Sequence, residues 1–588
     1  MSRKAAVDIS RTQNLKSCFK FLSLFLAFLL LTFSVSAQCT KKKTRDFVTQ
    51  GNESFKTKDF SSAVEFYQKA IQTEPNCSLA YFNLGQTQRF LNQTDAAIGS
   101  LERALNLNYP DKAANYLALA ASYSAKGQRE TSKDVFTKAR SYAVSAVKIN
   151  DKLLDAWRII AASNRTLGDV QGELNAWGQI VRLQPTDFSA RREKALIHYR
   201  IKDYDDSIAE FETLAKAEPK NPDNYLALSD LYRLNGQNPA AMEMATRAYQ
   251  LKPDSPNVLF TLGGAFLSLK NYERAIETFR SAINLKTEFL AESHYYIAAA
   301  QMAQGKYADG VENLKKSLSQ PAKLYPEKDF KSYVYRALAN SYGQLADFNQ
   351  AINYLAEVRK DGLDDSNLYV DLSWWHSLLG EDEKALEAAT LAIKKDSANS
   401  MAYTNRCRAN FTLKKLAEAE QDCKKALELN SNDGETLFYY SRVLRDTNRK
   451  TEADATNKKA IALLEKATGL KTANTEIVAN SVQNRNASVS NSDGTNNGVN
   501  YLLSVNVTSP YSTYILGNAY FDDNQLSKAI SAYKLSLQRA PRFPLAHLNL
   551  GIVYFIQNDK KSALAQYSEL VKIDRRRADD LKKIIDQK

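Results

Sequence analysis

The sequence predicts an all-α fold, a solenoid of stacked helix hairpins with no single globular core. Three observations lead there. Of 588 residues, 44% are hydrophobic and 25% charged, with only 21 Gly and 13 Pro; this excludes a collagen-like or low-complexity chain and a polytopic membrane protein. A pattern of small residue, aromatic, Ala, aromatic and Ala, with Pro near its end, returns in register about every 34 residues. Within each period the apolar spacing fits two antiparallel helices. Length alone gives a prior of about four domains, which the repetition overrides.

Taken in order, the chain begins with an address. Lys16 and Lys20 precede the run FLSLFLAFLLLTF from Phe21 to Phe33, and small residues follow to Val35-Ser36-Ala37. A basic flank, a short apolar core and a V-x-A exit predict a secretory signal over residues 1–37, cleaved between Ala37 and Gln38. Two alternatives stay open. The apolar stretch from Phe21 to Ala37 is at the short limit for an uncleaved single-pass anchor. Cys39 could carry a lipid, although Gln38 stands where a lipobox wants Gly, Ala or Ser.

The repeats follow. GNESFKTKDFSSAVEFYQKAIQTEPN from Gly51 returns as LGGAFLSLKNYERAIETFRSAINLK from Leu262 and LGNAYFDDNQLSKAISAYKLSLQRAP from Leu516. Gly51, Ala63 and Ala70 fall where two helices must approach closely, with Phe66 and Tyr67 filling the space beside them. Asp59, Asn271 and Asp347 sit at turns where they can cap second helices, and Pro75, Pro185, Pro219, Pro253 and Pro541 stop second helices. One hairpin cannot bury its own apolar stripe, so neighbours must stack. These segments closely resemble tetratricopeptide repeats. The resemblance covers most of the chain after residue 37 and implies a right-handed superhelical solenoid of about fourteen repeats. Their starts fall at 44, 78, 113, 154, 188, 222, 256, 291, 332, 366, 400, 434, 510 and 544.

Departures from the period define the organisation. Ser141 to Asp151 is expected to add two turns to a second helix, and Tyr325 to Lys331, beside Pro321 and Pro326, to add a loop. Residues 44–467 form twelve repeats. Residues 468–509, rich in Asn, Ser, Thr and Val, are expected as a polar flexible linker. Residues 510–588 supply two terminal repeats and a capping helix, expected to dock back on the twelfth repeat.

The family resemblance implies that first helices line a concave face, with repeat positions 5, 9 and 12 pointing into it. Those positions hold Arg89, Arg158, Arg165, Arg192, Arg233, Arg336, Arg408, Arg442 and Arg445, no Lys, and Asp230 as their only acid. Aromatics share the register, among them Tyr199, Phe260, Tyr295, Trp374, Phe411 and Phe438. Guanidinium forks bind carboxylates and lie on rings, so the groove is expected to take an extended acidic peptide or an anionic polymer. Two clusters stand out: Arg158, Arg165, Arg192, Tyr199 and Arg233, and Arg408, Phe411, Phe438, Arg442 and Arg445. Acids at position 2, Asp155, Asp223, Glu292 and Glu435, could instead neutralise some of these arginines.

Chemistry is sparse. His198, His294, His376 and His547 lie apart with no ligand spacing, Gly263-Gly264 belongs to no phosphate loop and is expected to serve helix packing, and acidic pairs fall at turns. No enzyme, cofactor or metal site is expected. Cys407 and Cys423 face each other within one hairpin, where they either pack as thiols or join in an oxidising compartment. The stretch from Tyr403 is similar to co-chaperone repeats that clamp acidic chaperone tails, with Asn405 matching one clamp residue, but the flanking helices lack the rest of that set. The formal charge of +13, or +9 without the first 37 residues, is too thinly spread for nucleic acid. The expectation is therefore a non-catalytic protein-binding scaffold of a Gram-negative cell envelope, periplasmic or outer-membrane-associated. It would hold extended protein partners for assembly or secretion and meet a membrane only through its N-terminus or a partner. The alternative is an export scaffold for an anionic exopolysaccharide.

Overall fold

The computed structural model describes residues 39–470 and 510–587, so the expected signal over residues 1–37 lies outside the described residues, as does the expected linker beyond Leu470. Among the described residues there are 29 α-helices. They form two compact units that divide between Lys252 and Pro253.

The first unit comprises α1 (Lys42–Lys56), α2 (Phe60–Thr73), α3 (Ser78–Phe90), α4 (Thr94–Asn106), α5 (Lys112–Glu130), α6 (Lys133–Ile149), α7 (Leu154–Leu167), α8 (Val170–Leu183), α9 (Phe188–Arg200), α10 (Tyr204–Ala217), α11 (Pro222–Leu234) and α12 (Asn238–Leu251). Within this unit each odd helix pairs with the next, and α2, α4, α6, α8 and α10 each pack on the first helix of the following hairpin. The second unit repeats this with α13 (Pro256–Ser268), α14 (Tyr272–Asn284), α15 (Leu290–Ala303), α16 (Tyr307–Leu318), α17 (Glu327–Gln344), α18 (Phe348–Lys360), α19 (Ser366–Leu379), α20 (Asp382–Lys395), α21 (Ser400–Thr412), α22 (Leu416–Leu429), α23 (Gly434–Asp446) and α24 (Lys450–Thr468). It continues with α25 (Pro510–Asp522), α26 (Leu526–Arg539), α27 (Pro544–Ile556), α28 (Lys560–Ile573) and the unpaired α29 (Arg575–Asp586).

In several hairpins the close approach of the paired helices rests on glycine. A Cβ at Gly51 would meet the Tyr67 ring at 2.5 Å, one at Gly263 the Phe279 ring at 2.9 Å, and one at Gly517 would run into the Tyr533 ring. Gly264 meets nothing within 4 Å, so only the first of the Gly263-Gly264 pair serves packing. The turns are capped where the sequence places acceptors: Asp59 takes the N–H of Ser62, Asn271 that of Arg274 and Asp347 that of Gln350. Each such cap is worth about 1 kcal/mol. Pro75, Pro185, Pro219, Pro253 and Pro541 all stand two residues beyond a second helix.

Two local expectations are corrected. The extra residues of the third hairpin lengthen both arms, 19 residues in α5 and 17 in α6, instead of extending the second alone. The turn moves to Thr131, in the left-handed region, because a hairpin keeps its contacts only if both arms grow together. Glu327 to Lys331, expected in a loop, opens α17; Pro326 precedes its first turn, where Glu327 and Asp329 complement the helix dipole.

Both ends of the described repeats are fastened. Cys39 and Cys77 form a disulfide across a separation of 38 residues, enclosing the first hairpin. Loop-closure entropy puts such a link at about 4 kcal/mol. The Glu74 carboxylate accepts the Thr40 N–H at 2.9 Å, the Thr40 hydroxyl at 2.7 Å and the Lys41 N–H at 3.1 Å. Burial opposes ionisation of Glu74, but these hydrogen bonds outweigh it and hold its pKa down to about 2. At the other end α25 packs on α24: Asn457 donates to the Ala519 carbonyl at 2.9 Å, and the Tyr520 hydroxyl to Glu465 at 2.5 Å. Ala578, Leu581 and Ile585 of α29 are fully buried, and Leu581 packs on Gly551 of α27.

Substitution of adjacent glycines by alanine should have opposite signs. Gly263→Ala displaces a ring and is expected to cost about 1–3 kcal/mol, whereas Gly264→Ala enters open space in a helix and gains roughly 0.5–1 kcal/mol; urea melts read both. Because the folded Glu74 pKa lies below its unfolded value, its contribution is present above about pH 4.5 and lost as pH falls through about 2. The difference in melting temperature between wild type and Glu74→Gln should therefore be largest above pH 5 and close at pH 2.

Candidate functional site

First helices place the candidate residues, and the two expected clusters have different surroundings. In the first unit, Arg158 of α7 forks between Asp155 at 3.1 Å and Asp187 at 2.8 Å. About two turns later Arg165 donates to Glu173 of α8 and to Glu193 of α9, both at 2.5 Å. Arg192 reaches Glu218 at 2.7 Å and Asn224 at 3.0 Å, linking α9 to the end of α10 and to α11. Arg233 pairs with Asp230 at 3.3 Å. Tyr199 stands half-buried with its ring 6.3 Å from that of Tyr204, and burial, with Asp230 adding to it, pushes its hydroxyl pKa up. The arginine side chains keep 23–43% of their surface exposed.

The carboxylates form a seam whose members sequence reasoning had mostly missed. Glu173, whose side chain is 1% exposed, also receives Arg200, and Glu210 is held by Arg191 and Lys194, each at 2.6 Å. Of the position-2 acids, Asp155 pairs as anticipated, Glu435 lies 3.8 Å from Arg408, and Glu292 instead accepts the N–H groups of Lys323 and Leu324. Each cation of this cluster faces a carboxylate, so the face is polar and charge-balanced rather than cationic. Arg89 differs: its hydrogen bond goes to the neutral Gln86 at 2.7 Å, and burial pushes its pKa down to about 10 although Asp155 opposes the shift.

In the second unit, the expected groove is largely interior. Phe260 is packed against Phe279, Phe289 and Tyr296, and Tyr295 against Tyr296 and Phe330. Phe438 is fully buried and Arg408 is 4% exposed. These four are therefore withdrawn as surface contacts, because rings from the adjoining helices and turns cover their positions. The Arg408 guanidinium lies 4.3 Å from the Trp374 ring centre and donates to the Tyr511 hydroxyl at 3.3 Å, while Tyr511 also bonds Tyr439 at 2.9 Å. Burial pushes Tyr439 up to about 12, and although burial opposes its charge, the neighbouring Tyr511, Tyr439 and Glu435 hold Arg408 protonated.

The rest of this cluster is occupied by α25. Arg442 lies over Phe411 and Phe438 and meets Asp522 at 3.2 Å; Arg445 meets Asp454 at 3.0 Å and Asp522 at 3.7 Å. Trp374 touches the Tyr511 ring at 3.7 Å between centroids. Arg336 is spent on Asp365 and the Leu363 carbonyl. The chain's own terminal hairpins thus fill the second Arg and aromatic cluster. Asn405 is also interior, donating to the Val370 carbonyl at 2.9 Å, which removes it as a groove contact.

The other chemical candidates have local partners. Cys407 and Cys423 are joined as a disulfide, with Cα atoms 5.3 Å apart. Cys39 is engaged with Cys77, so its sulfur is not available to a lipid. His198 faces Asp203 at 2.9 Å and Asp206 at 3.7 Å, the one group of metal-ligand types gathered among the described residues. The same five-residue reach recurs from His376 to Glu381 at 2.6 Å, and Asp203 also caps α10, so the pairing fastens a turn. None of the described helices is long and apolar enough to cross a membrane.

Comparison with known proteins agrees with the repeat geometry. Tetratricopeptide repeat models match residues 66–99, 165–222, 192–256 and 402–433, a TPR repeat model matches 517–558, and a model of anaphase-promoting complex, cyclosome, subunit 3 matches 235–317. The TPR repeat-containing protein YpiA of Bacillus subtilis is 22% identical over 271 residues, 46% of this chain and 62% of that protein. Hsp70-Hsp90 organizing protein 1 of Glycine max is 23% identical over 40% of each chain. The matched regions span less than two thirds of either relative. Among solved structures, the APC/C hetero-tetramer Cut9-Hcn1 aligns over 92% of this chain and 96% of its own at 13% identity and a TM-score of 0.37. A tetratricopeptide repeat protein from Parabacteroides merdae aligns over 44% of this chain and all of its own at 19% identity and a TM-score of 0.28. With paired helices recurring through both units and repeat models matching in each, the chain is a tetratricopeptide repeat protein.

Proposed function

We propose that this protein is a non-catalytic scaffold of the bacterial cell envelope that holds an extended polypeptide against the first helices α7, α9 and α11 for assembly or secretion. The observation that carries the reading is the part-exposed seam of Arg158, Arg165, Arg192 and Arg233 with its carboxylates. Its forks are already oriented by their partners, so little side-chain entropy remains to be lost when a ligand arrives. Because the seam is balanced, the favoured partner is a chain of mixed polarity whose amides and side chains exchange hydrogen bonds with it. This departs from the acidic peptide or anionic polymer expected from the arginines alone. Export is supported by the signal-like residues 1–37 and by two disulfides, which persist outside the reducing cytoplasm.

Cross-linking followed by affinity purification from the envelope fraction should recover a stoichiometric polypeptide. The combined substitution Arg158→Ala and Arg192→Ala should lower its recovery by at least about tenfold, with only a modest dependence on salt because the seam is balanced. Arg408→Ala, placed in the interior of the other unit, should reduce thermal stability and leave recovery unchanged. Full recovery by the Arg158 and Arg192 variant, or a partner found only in the cytosolic fraction, would defeat the proposal.

A further inference from the structure

The four described cysteines make two bridges of different kinds. Cys407–Cys423 ties α21 to α22 inside one hairpin, which is stacked on both sides by α20 and α23. Cys39–Cys77 ties the residues ahead of α1 to the N-cap of α3 and so crosses from the first hairpin to the second. Among the described residues the first hairpin has a stacking neighbour on one side only. A terminal repeat in such an array has half the interface of an internal one and frays first.

Everything around Cys39 serves to hold that edge. Thr40 and Lys41 are fastened to Glu74, the Lys41 ammonium donates to the Thr73 carbonyl at 2.9 Å, and Arg45 donates to the Cys39 carbonyl at 3.2 Å and the Thr40 carbonyl at 2.6 Å. Beyond this latch, the first hairpin leans on α3 through Phe55 against Phe90 and through Asn83 donating to Asn52. Both sulfur-bearing residues are fully buried, so a reductant reaches the bridge only after the edge has opened.

We infer that Cys39–Cys77 is a redox latch that sets the order of the first repeat: closed, it fixes α1 and α2 on α3; open, that hairpin frays while the rest of its unit stays folded. Closure is a thiol–disulfide exchange with a donor disulfide. One cysteine thiolate attacks the donor, whose S–S bond breaks to give a mixed disulfide. The second thiolate then displaces the donor, which leaves as a dithiol, carrying the two electrons and taking up the two protons. The inference rests on the export reading for its oxidant and is independent of what the seam binds.

Hydrogen exchange with mass spectrometry on the oxidised chain tests it without any partner. In the double variant Cys39→Ser, Cys77→Ser, amides of Lys42–Thr73 should exchange at least about tenfold faster, with α3 to α12 within about twofold of wild type. In Cys407→Ser, Cys423→Ser the Lys42–Thr73 amides should be unchanged. If the first variant does not fold, graded dithiothreitol with pulsed alkylation of the wild type gives the same answer: Cys39 and Cys77 should be labelled before Cys407 and Cys423. Equal protection of Lys42–Thr73 with and without the bridge, the reverse labelling order, or recovery of Cys39 and Cys77 as free thiols from oxidised protein would each overturn the inference. Loss of partner binding with these outcomes intact would remove the scaffold reading alone.

Discussion

Every hairpin depends on its neighbour to cover an apolar stripe, and in several hairpins the two arms close on each other where an aromatic ring lies over a position with no Cβ. Tyr67 on Gly51, Phe279 on Gly263 and Tyr533 on Gly517 recur within hairpins, and Trp375 on Gly343 carries the same device across to the preceding hairpin. Rings replace methyl groups at these points, so helices come close without leaving voids. The repeated fit explains why a chain with a modest share of apolar residues can bury a row of small alanines, Ala63, Ala70, Ala241, Ala275 and Ala419 among them.

The same dependence governs the charges. A first-helix arginine meets whatever the arms around it supply. In α7 to α11 carboxylates come both from the arginine's own hairpin, Glu173 and Glu218, and from the next one, Asp187 and Glu193, and the result is a balanced seam with residual exposure. Around α19 to α25 the neighbours supply rings and hydroxyls, and the result is an enclosed joint in which Arg408 is shared by Trp374, Tyr439 and Tyr511. One residue type on one helix face, at repeat positions 5 and 12 in the first unit and at position 9 in Arg408, thus yields a part-exposed seam in one unit and an internal strut in the other.

The helices were legible because period, glycine placement and terminal prolines all point to one arrangement, as at Gly51, Asp59 and Pro75. The candidate site was legible only in part. Register identifies which residues share a face, but it does not say what lies opposite, and α25 returns to Trp374 and Arg408 from more than a hundred residues away in sequence. One signal was present and unread: Glu173 occupies the second-helix position that holds Ala63, Ala97, Ala241 and Ala275 elsewhere. An acid at a position that demands a small buried residue can persist only with cations beside it, and Arg165 and Arg200 are there. The third hairpin shows the complementary difficulty, since an in-phase insertion is compatible with lengthening either arm or both.

The stacking of Arg408 on Trp374 has an optical consequence. The chain holds four tryptophans, and this one lies against a guanidinium and meets the Tyr511 ring edge to face. Its emission is therefore tied to the seating of the terminal hairpins: departure of α25 would hydrate the indole and shift its fluorescence to longer wavelength. The molecule carries its own chromophore for following that joint in real time.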